Sequence, residues 1–209
     1  MRFLALLLLA ATLLSCTNTR YSYNTGQPVV ESGNRMLITK IKGFSDSRAT
    51  ELAEETREML IDDLFTVYLP EEEYELLKKG IAYDSLNAEK LSVETQKKIE
   101  EILNVRYLLD VELINVRGGA SYGSYTNSQL NRNQEPLNRN DESNTASVLF
   151  TITDMKNPSR PRSFTVTVRI NPLVIPEEEG EQRINATNVN TASIKAYSKG
   201  IKRIKKAIF

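Results

Sequence analysis

From Met36 to Gly43 the chain reads Met-Leu-Ile-Thr-Lys-Ile-Lys-Gly, a β-rich run, and the Ser45-Asp46-Ser47 cluster after Phe44 suits a helix amino cap. A strand is expected to feed a helix. Beyond Ala49, the residues Leu52, Ala53, Thr56, Met59, Leu60, Leu64 and Val67 recur at helical spacing, while Glu51, Glu54, Glu55, Glu58 and Asp62 fall on another side as a solvated face. Asp63 projects toward the apolar side, either as part of a frayed last turn or as a buried functional carboxylate. After Pro70 and the acidic turn Glu71 to Glu73, the stretch Tyr74 to Lys79 predicts a short helix and Ile81-Ala82-Tyr83 a short strand. Ser92 suits the cap of a helix carrying Val93, Ile99, Ile102 and Leu103, and Asn104 suits the left-handed residue that ends it.

Val105, Tyr107, Leu109, Val111 and Leu113 then alternate strictly, with Leu108, Ile114 and Val116 on the second face, which predicts a central strand covered on both sides. Ala146 to Thr153 and Ser163 to Ile170 read as two more strands, joined as an antiparallel hairpin by the proline-bearing stretch Asp154 to Arg162. A last helix is expected from about Ala186, where Ile194, Tyr197, Ile201, Ile204 and Ile208 share one arc. No repeat of a length that would build a solenoid is visible. The fold class is α/β, with a single mixed sheet of about four to five strands and three main helices.

The first residues follow a different pattern. Met1-Arg2, the apolar run Phe3 to Leu14 and Ser15 form a positive end, a hydrophobic region and a small residue before a cut, an export signal over residues 1–15. The run is short of the roughly 20 residues that a spanning helix needs. Leu13-Leu14-Ser15-Cys16 resembles the bacterial lipobox. The resemblance implies cleavage before Cys16, a diacylglycerol thioether on its sulfur and an acylated (palmitate-type) amino end. It further implies, from Thr17 where an aspartate would favour the inner membrane, sorting to the outer membrane, facing the periplasm. Residues 17–34 are polar and without an apolar period, which predicts a tether reaching roughly 25 Å. A single domain is expected over 35–209.

Composition narrows the chemistry. Lysine plus arginine and aspartate plus glutamate stand at 27 each, so no global field steers the chain toward nucleic acid. Histidine is absent and Cys16 is the only cysteine, which removes soft zinc sites, an imidazole base and any internal disulfide. No catalytic, metal or cofactor-binding residue is assigned.

The order of elements, with the local runs Leu77-Lys78-Lys79-Gly80-Ile81-Ala82-Tyr83 and Ile102-Leu103-Asn104-Val105-Arg106-Tyr107-Leu108-Leu109, resembles the amino-terminal domain of the TolB translocation protein and the periplasmic core of curli-secretion lipoproteins of the CsgG type. Those families have glycine where Asn104 stands. A hairpin with Asp154 at its turn before a final helix is a second likeness. The resemblance implies fold and compartment, and it carries no catalytic residue.

Three features invite a function. The polar insert at about 118–145 reads either as disorder or as a partner-binding loop using Tyr122, Tyr125 and arginines, and it lacks the alternation of a barrel hairpin. Within it, Gly118 to Gly123 looks like a phosphate loop but is followed by Ser124-Tyr125 instead of lysine. Lys195, Lys199, Lys202, Arg203 and Lys206 form a basic helix face suited to solvent, to anionic headgroups, to an acidic partner or to the acidic face of the Glu51 to Asp62 helix. These readings favour a membrane-anchored envelope lipoprotein that acts as a non-enzymatic interaction or assembly module, with an envelope protein or a second copy as partner. A subunit of an oligomeric secretion assembly and an enzyme using Asp63, Asp110, Glu112 or Asp154 are the alternatives.

Overall fold

The computed structural model describes residues 17–86, 88, 91–126 and 142–209. The export signal, Cys16 and residues 127–141 of the insert lie outside them. Two compact units are present: Tyr21–Ile114, Val148–Val166 and Tyr197–Phe209 make the larger, and Met1–Arg20, Asn115–Ser147 and Thr167–Ala196 the smaller.

Six strands form the main sheet: β1 (Thr17–Tyr23), β2 (Arg35–Lys42), β3 (Phe65–Tyr68), β4 (Tyr107–Arg117), β6 (Asn144–Asp154) and β7 (Arg162–Ile170), ordered β1-β7-β6-β4-β2-β3. Strand β2 runs parallel to both β3 and β4. The expected α/β class holds, but the sheet has six strands rather than four or five. One added strand is β1, which begins directly after Cys16 inside the stretch read as a tether. The other is β3. The helix read through to Val67 instead ends earlier, as α1 (Asp46–Leu60), because a turn at 61–63 hands the chain to Phe65-Thr66-Val67-Tyr68, a β-branched and aromatic run that favours a strand.

On one side of the larger unit, α1 meets the last helix, α5 (Val189–Lys205). Here Thr56 Oγ1 lies 2.7 Å from the Tyr197 hydroxyl, and the Leu52 carbonyl accepts from that hydroxyl at 3.2 Å. Burial pushes the Tyr197 phenol well above its ordinary pKa, with the Thr56 hydrogen bond pulling the other way. Tyr197, Ile201 and Ile204 are fully buried, as their shared arc predicts. Phe150 of β6 stacks on Phe164 of β7 at 5.1 Å and leans on Tyr197 at 5.9 Å.

Gly200 of α5 faces this aromatic stack with no room to spare: a Cβ there would come within 2.1 Å of the Phe150 ring. Glycine ordinarily costs a helix about 1 kcal/mol relative to alanine. Overpacking a closed core costs about 1–3 kcal/mol, and Phe150, held by Phe164 and Tyr197, has nowhere to move. Gly200→Ala is therefore expected to lower stability by about 1–2 kcal/mol instead of raising it, read as a lower denaturant midpoint at unchanged slope.

A second cluster gathers Leu37 of β2, Leu108 of β4 and Met155 with Leu76 of α2 (Leu69–Lys78), Leu86 of α3 (Tyr83–Leu86) and Ile99 of α4 (Val93–Leu103). Pro70 sits in the first turn of α2, where its missing N–H is harmless, so the helix starts before the acidic turn rather than after it. Tyr83 opens the short helix α3, where a strand was expected over Ile81-Ala82-Tyr83; Ile81 is buried in the cluster and Tyr83 is exposed. The ends of α4 match their reading: the Ser92 side chain accepts from the Thr95 N–H, and Asn104 adopts φ 51°, ψ 48°.

The smaller unit holds a three-stranded sheet that the sequence did not announce: β5 (Tyr122–Thr126), β8 (Leu173–Glu177) and β9 (Gly180–Ile184), ordered β5-β9-β8 and antiparallel throughout. Strand β8 is an edge, where Pro176 can sit without leaving a ladder hydrogen bond unmade.

Candidate functional site

The basic face read on the last helix becomes one wall of a groove in the larger unit. Lys199, Lys202, Arg203, Lys205 and Lys206, from the end of α5 and the residue after it, line a cavity of about 540 Å³ together with Tyr21 and Tyr23 of β1. Tyr21 and Tyr23 are two residues apart on a strand and so share a side, and each keeps 37% of its surface exposed. The Arg203 guanidinium carbon lies 5.5 Å from the Tyr23 ring centre, and Arg203 Nε is buried without a hydrogen-bond partner. Lys205 donates to the Met59 carbonyl at 2.8 Å and approaches Asp63 at 3.7 Å. Among the described residues no carboxylate pairs with Lys199, Lys202, Arg203 or Lys206. Sequence reading found four of the five cations, all but Lys205; it missed the tyrosines because roughly 180 positions of chain separate them. Lys195 belongs to the smaller unit and does not line the groove.

The four candidate carboxylates part company. Asp63 lies in the frayed turn that follows α1, where its N–H donates to the Leu60 carbonyl at 2.9 Å, and it is half-buried beside Lys205 rather than deeply buried. Asp154 ends β6 and grips Arg106, with Arg106 Nε 2.9 Å from Oδ1 and Nη2 3.0 Å from Oδ2; its Oδ1 also accepts from the Lys156 N–H at 2.9 Å, which pins the turn after the strand. Asp110 and Glu112, two residues apart on β4, do come together: with Lys40, Lys42, Leu149 and Thr151 they line a cavity of about 420 Å³. Thr39 Oγ1 donates to Asp110 at 2.5 Å.

In the smaller unit the insert is partly built. Its Tyr122–Thr126 segment pairs along β9, Tyr122 is exposed, and the Tyr125 side chain falls outside the described residues. Strands β5, β8 and β9 have five residues each, against the nine to eleven or so of a strand that spans a bilayer. Gly119 is there for packing: a Cβ would sit 2.0 Å from the Glu142 carbonyl oxygen, and its N–H donates to Asn144 Oδ1 at 3.0 Å, so the phosphate-loop likeness dissolves into contact with the returning chain. Arg183 of β9 is 5% exposed and is gripped by Glu142 and Glu181, with Nε 2.6 Å from Glu181 Oε1. Burial acts to lower its pKa, and the hydrogen bonds to the two carboxylates more than reverse this. Among the described residues no group of three acidic or thiol side chains could hold a metal, and no helix is long and apolar enough to cross a membrane.

The sequence matches no family model and no curated protein sequence, so the TolB and CsgG resemblance is not confirmed. Among solved structures the chain is similar to the PelC dodecamer from Paraburkholderia phytofirmans, at 14% identity and a TM-score of 0.45, over 91% of this chain and 98% of that one. It is similar to lipoprotein GNA1162 from Neisseria meningitidis at 14% identity and a TM-score of 0.40, over 66% of this chain and 83% of that one. A third likeness is to the hypothetical protein CT253 from Chlamydia trachomatis, at 9% identity and a TM-score of 0.42, over 83% and 96%.

Proposed function

We propose that the chain is a lipid-anchored protein of the cell envelope, fixed through Cys16 to the outer membrane on its periplasmic side, whose folded body is a non-enzymatic interaction or assembly module. The observation that carries this reading is the junction at Cys16: the lipobox-like residues end where edge strand β1 begins, so a lipid on that sulfur holds the body with little slack. The partner is another envelope protein or a second copy of the chain. Crosslinking at native expression, followed by recovery of the chain from membranes, is expected to yield a discrete adduct of defined mass. Recovery of uncrosslinked monomer alone would overturn the module reading.

A second reading, a carboxylate-dependent enzyme acting on a small polar substrate, draws on the groove shared by Asp110, Glu112, Lys40 and Lys42. It would gain ground if Asp110→Asn with Glu112→Gln abolished the in vivo role of the chain while leaving the crosslinked adduct intact.

A further inference from the structure

The groove formed by Tyr21, Tyr23 and the end of α5 carries five cations and little acidic charge among the described residues. Among the described residues Lys205 is the one cation of the five with an acidic neighbour, Asp63 at 3.7 Å. The remaining four project beside two half-exposed tyrosines, the side chain most at home, with tryptophan, where water meets headgroups. Arg203 Nε, buried without a partner, adds a guanidinium suited to a phosphate oxygen pair.

We infer that this groove seats the anionic phosphate headgroups of the same bilayer that holds Cys16, so that the body lies against the membrane on its β1 and α5 side. The inference rests on the lipoprotein reading above. Tyr21 follows Cys16 by five residues, which span at most about 17 Å of extended chain. An anchored body therefore meets headgroups as an intramolecular event at high effective concentration, and weak contacts suffice. Each cation near an anionic surface strengthens attachment about fivefold. An acidic protein would also complement the charge, but it must arrive by diffusion, whereas the lipid surface is within reach of the groove from the moment of anchoring.

The lipidated full chain, reconstituted into phosphatidylcholine vesicles or into vesicles with about one third phosphatidylglycerol, separates these possibilities by the rate at which its lysines are acetylated. Lys199, Lys202 and Lys206 are expected to react about threefold to tenfold more slowly on the anionic vesicles, and high salt should erase the difference. Lys78 and Lys98, each paired with a glutamate, serve as references that should not change. Lys199→Gln with Lys202→Gln should release Lys206 from protection, while Lys199→Arg with Lys202→Arg should keep it. Equal rates on the two vesicle types, with the protein attached to both, would overturn the inference and leave the anchor standing. Protection that appears only when envelope proteins are added would overturn it in favour of an acidic protein. A chain that carries no lipid and attaches to neither vesicle would remove the anchor reading and this one with it.

Discussion

Replacing Cys16 with serine will abolish incorporation of labelled fatty acid into the chain and move it from the membrane pellet to the soluble fraction. The reason is chemical: serine is close to cysteine in size but its hydroxyl cannot take the thioether on which the rest of maturation depends, and the sequence holds no second cysteine to substitute. The size of the effect follows from the acyl chains. Each buried methylene contributes about 0.8 kcal/mol, so one chain holds a protein reversibly and two or three hold it almost permanently. Headgroup contacts from the basic groove cannot replace that, at about 1 kcal/mol per cation and less in salt. The folded body should be unharmed, since β1 begins at Thr17. A serine variant that still labels and still pellets after a high-salt wash would remove the lipoprotein reading.

Local signals carried most of what was legible. Ser92 and Asn104 mark the two ends of α4 because a cap side chain and a left-handed backbone are decided by the residue itself. The arc of Tyr197, Ile201 and Ile204 and the face of β4 carrying Tyr107, Leu109 and Val111 survive because burial of a face is written into the period, whereas Ile114 and Val116, read as covered on the second face of β4, are exposed. Errors arise where pairing overrides pattern. Leu64 and Val67 fall at helical spacing, yet Arg35 to Ile38 of β2 offers a parallel partner to Phe65–Tyr68, and the ladder wins. Strands β5 and β9 are polar and short, and β8 is short and interrupted by Pro176; they exist because each has an antiparallel neighbour to share hydrogen bonds with, which no single segment reveals. The basic half of the candidate groove was readable as a helix face, and its aromatic half was hidden in a segment with no apolar period. Asp110 and Glu112 were readable as a pair on one side of a strand, but the lysines opposite them depended on which strand became the neighbour, and that is β2.

Arg183→Ala is expected to destabilise the three-stranded sheet by about 3 kcal/mol. Three features set the magnitude. Arg183 sits on the middle strand of the sheet, across from Gly123 on one side and Val174 on the other. Its two carboxylate partners are also largely shielded, Glu142 at 12% and Glu181 at 21% side-chain exposure. Removing the guanidinium therefore takes a buried cation away from two poorly hydrated carboxylates, which costs more than the loss of a surface pair. Arg48 and Glu51 give the contrast: their side chains are 42% and 55% exposed, and breaking that pair should cost between nothing and about 1 kcal/mol. Hydrogen exchange should show faster opening of β5, β8 and β9 in Arg183→Ala, with α1 and β2 of the larger unit little changed. Adding Glu142→Gln and Glu181→Gln to Arg183→Met should restore part of the lost protection, because neutral partners tolerate burial without the guanidinium better than two carboxylates do. If Arg183→Ala exchanged at the wild-type rate, the buried charge cluster would contribute nothing to stability, and the three-stranded sheet would owe its order to backbone pairing alone.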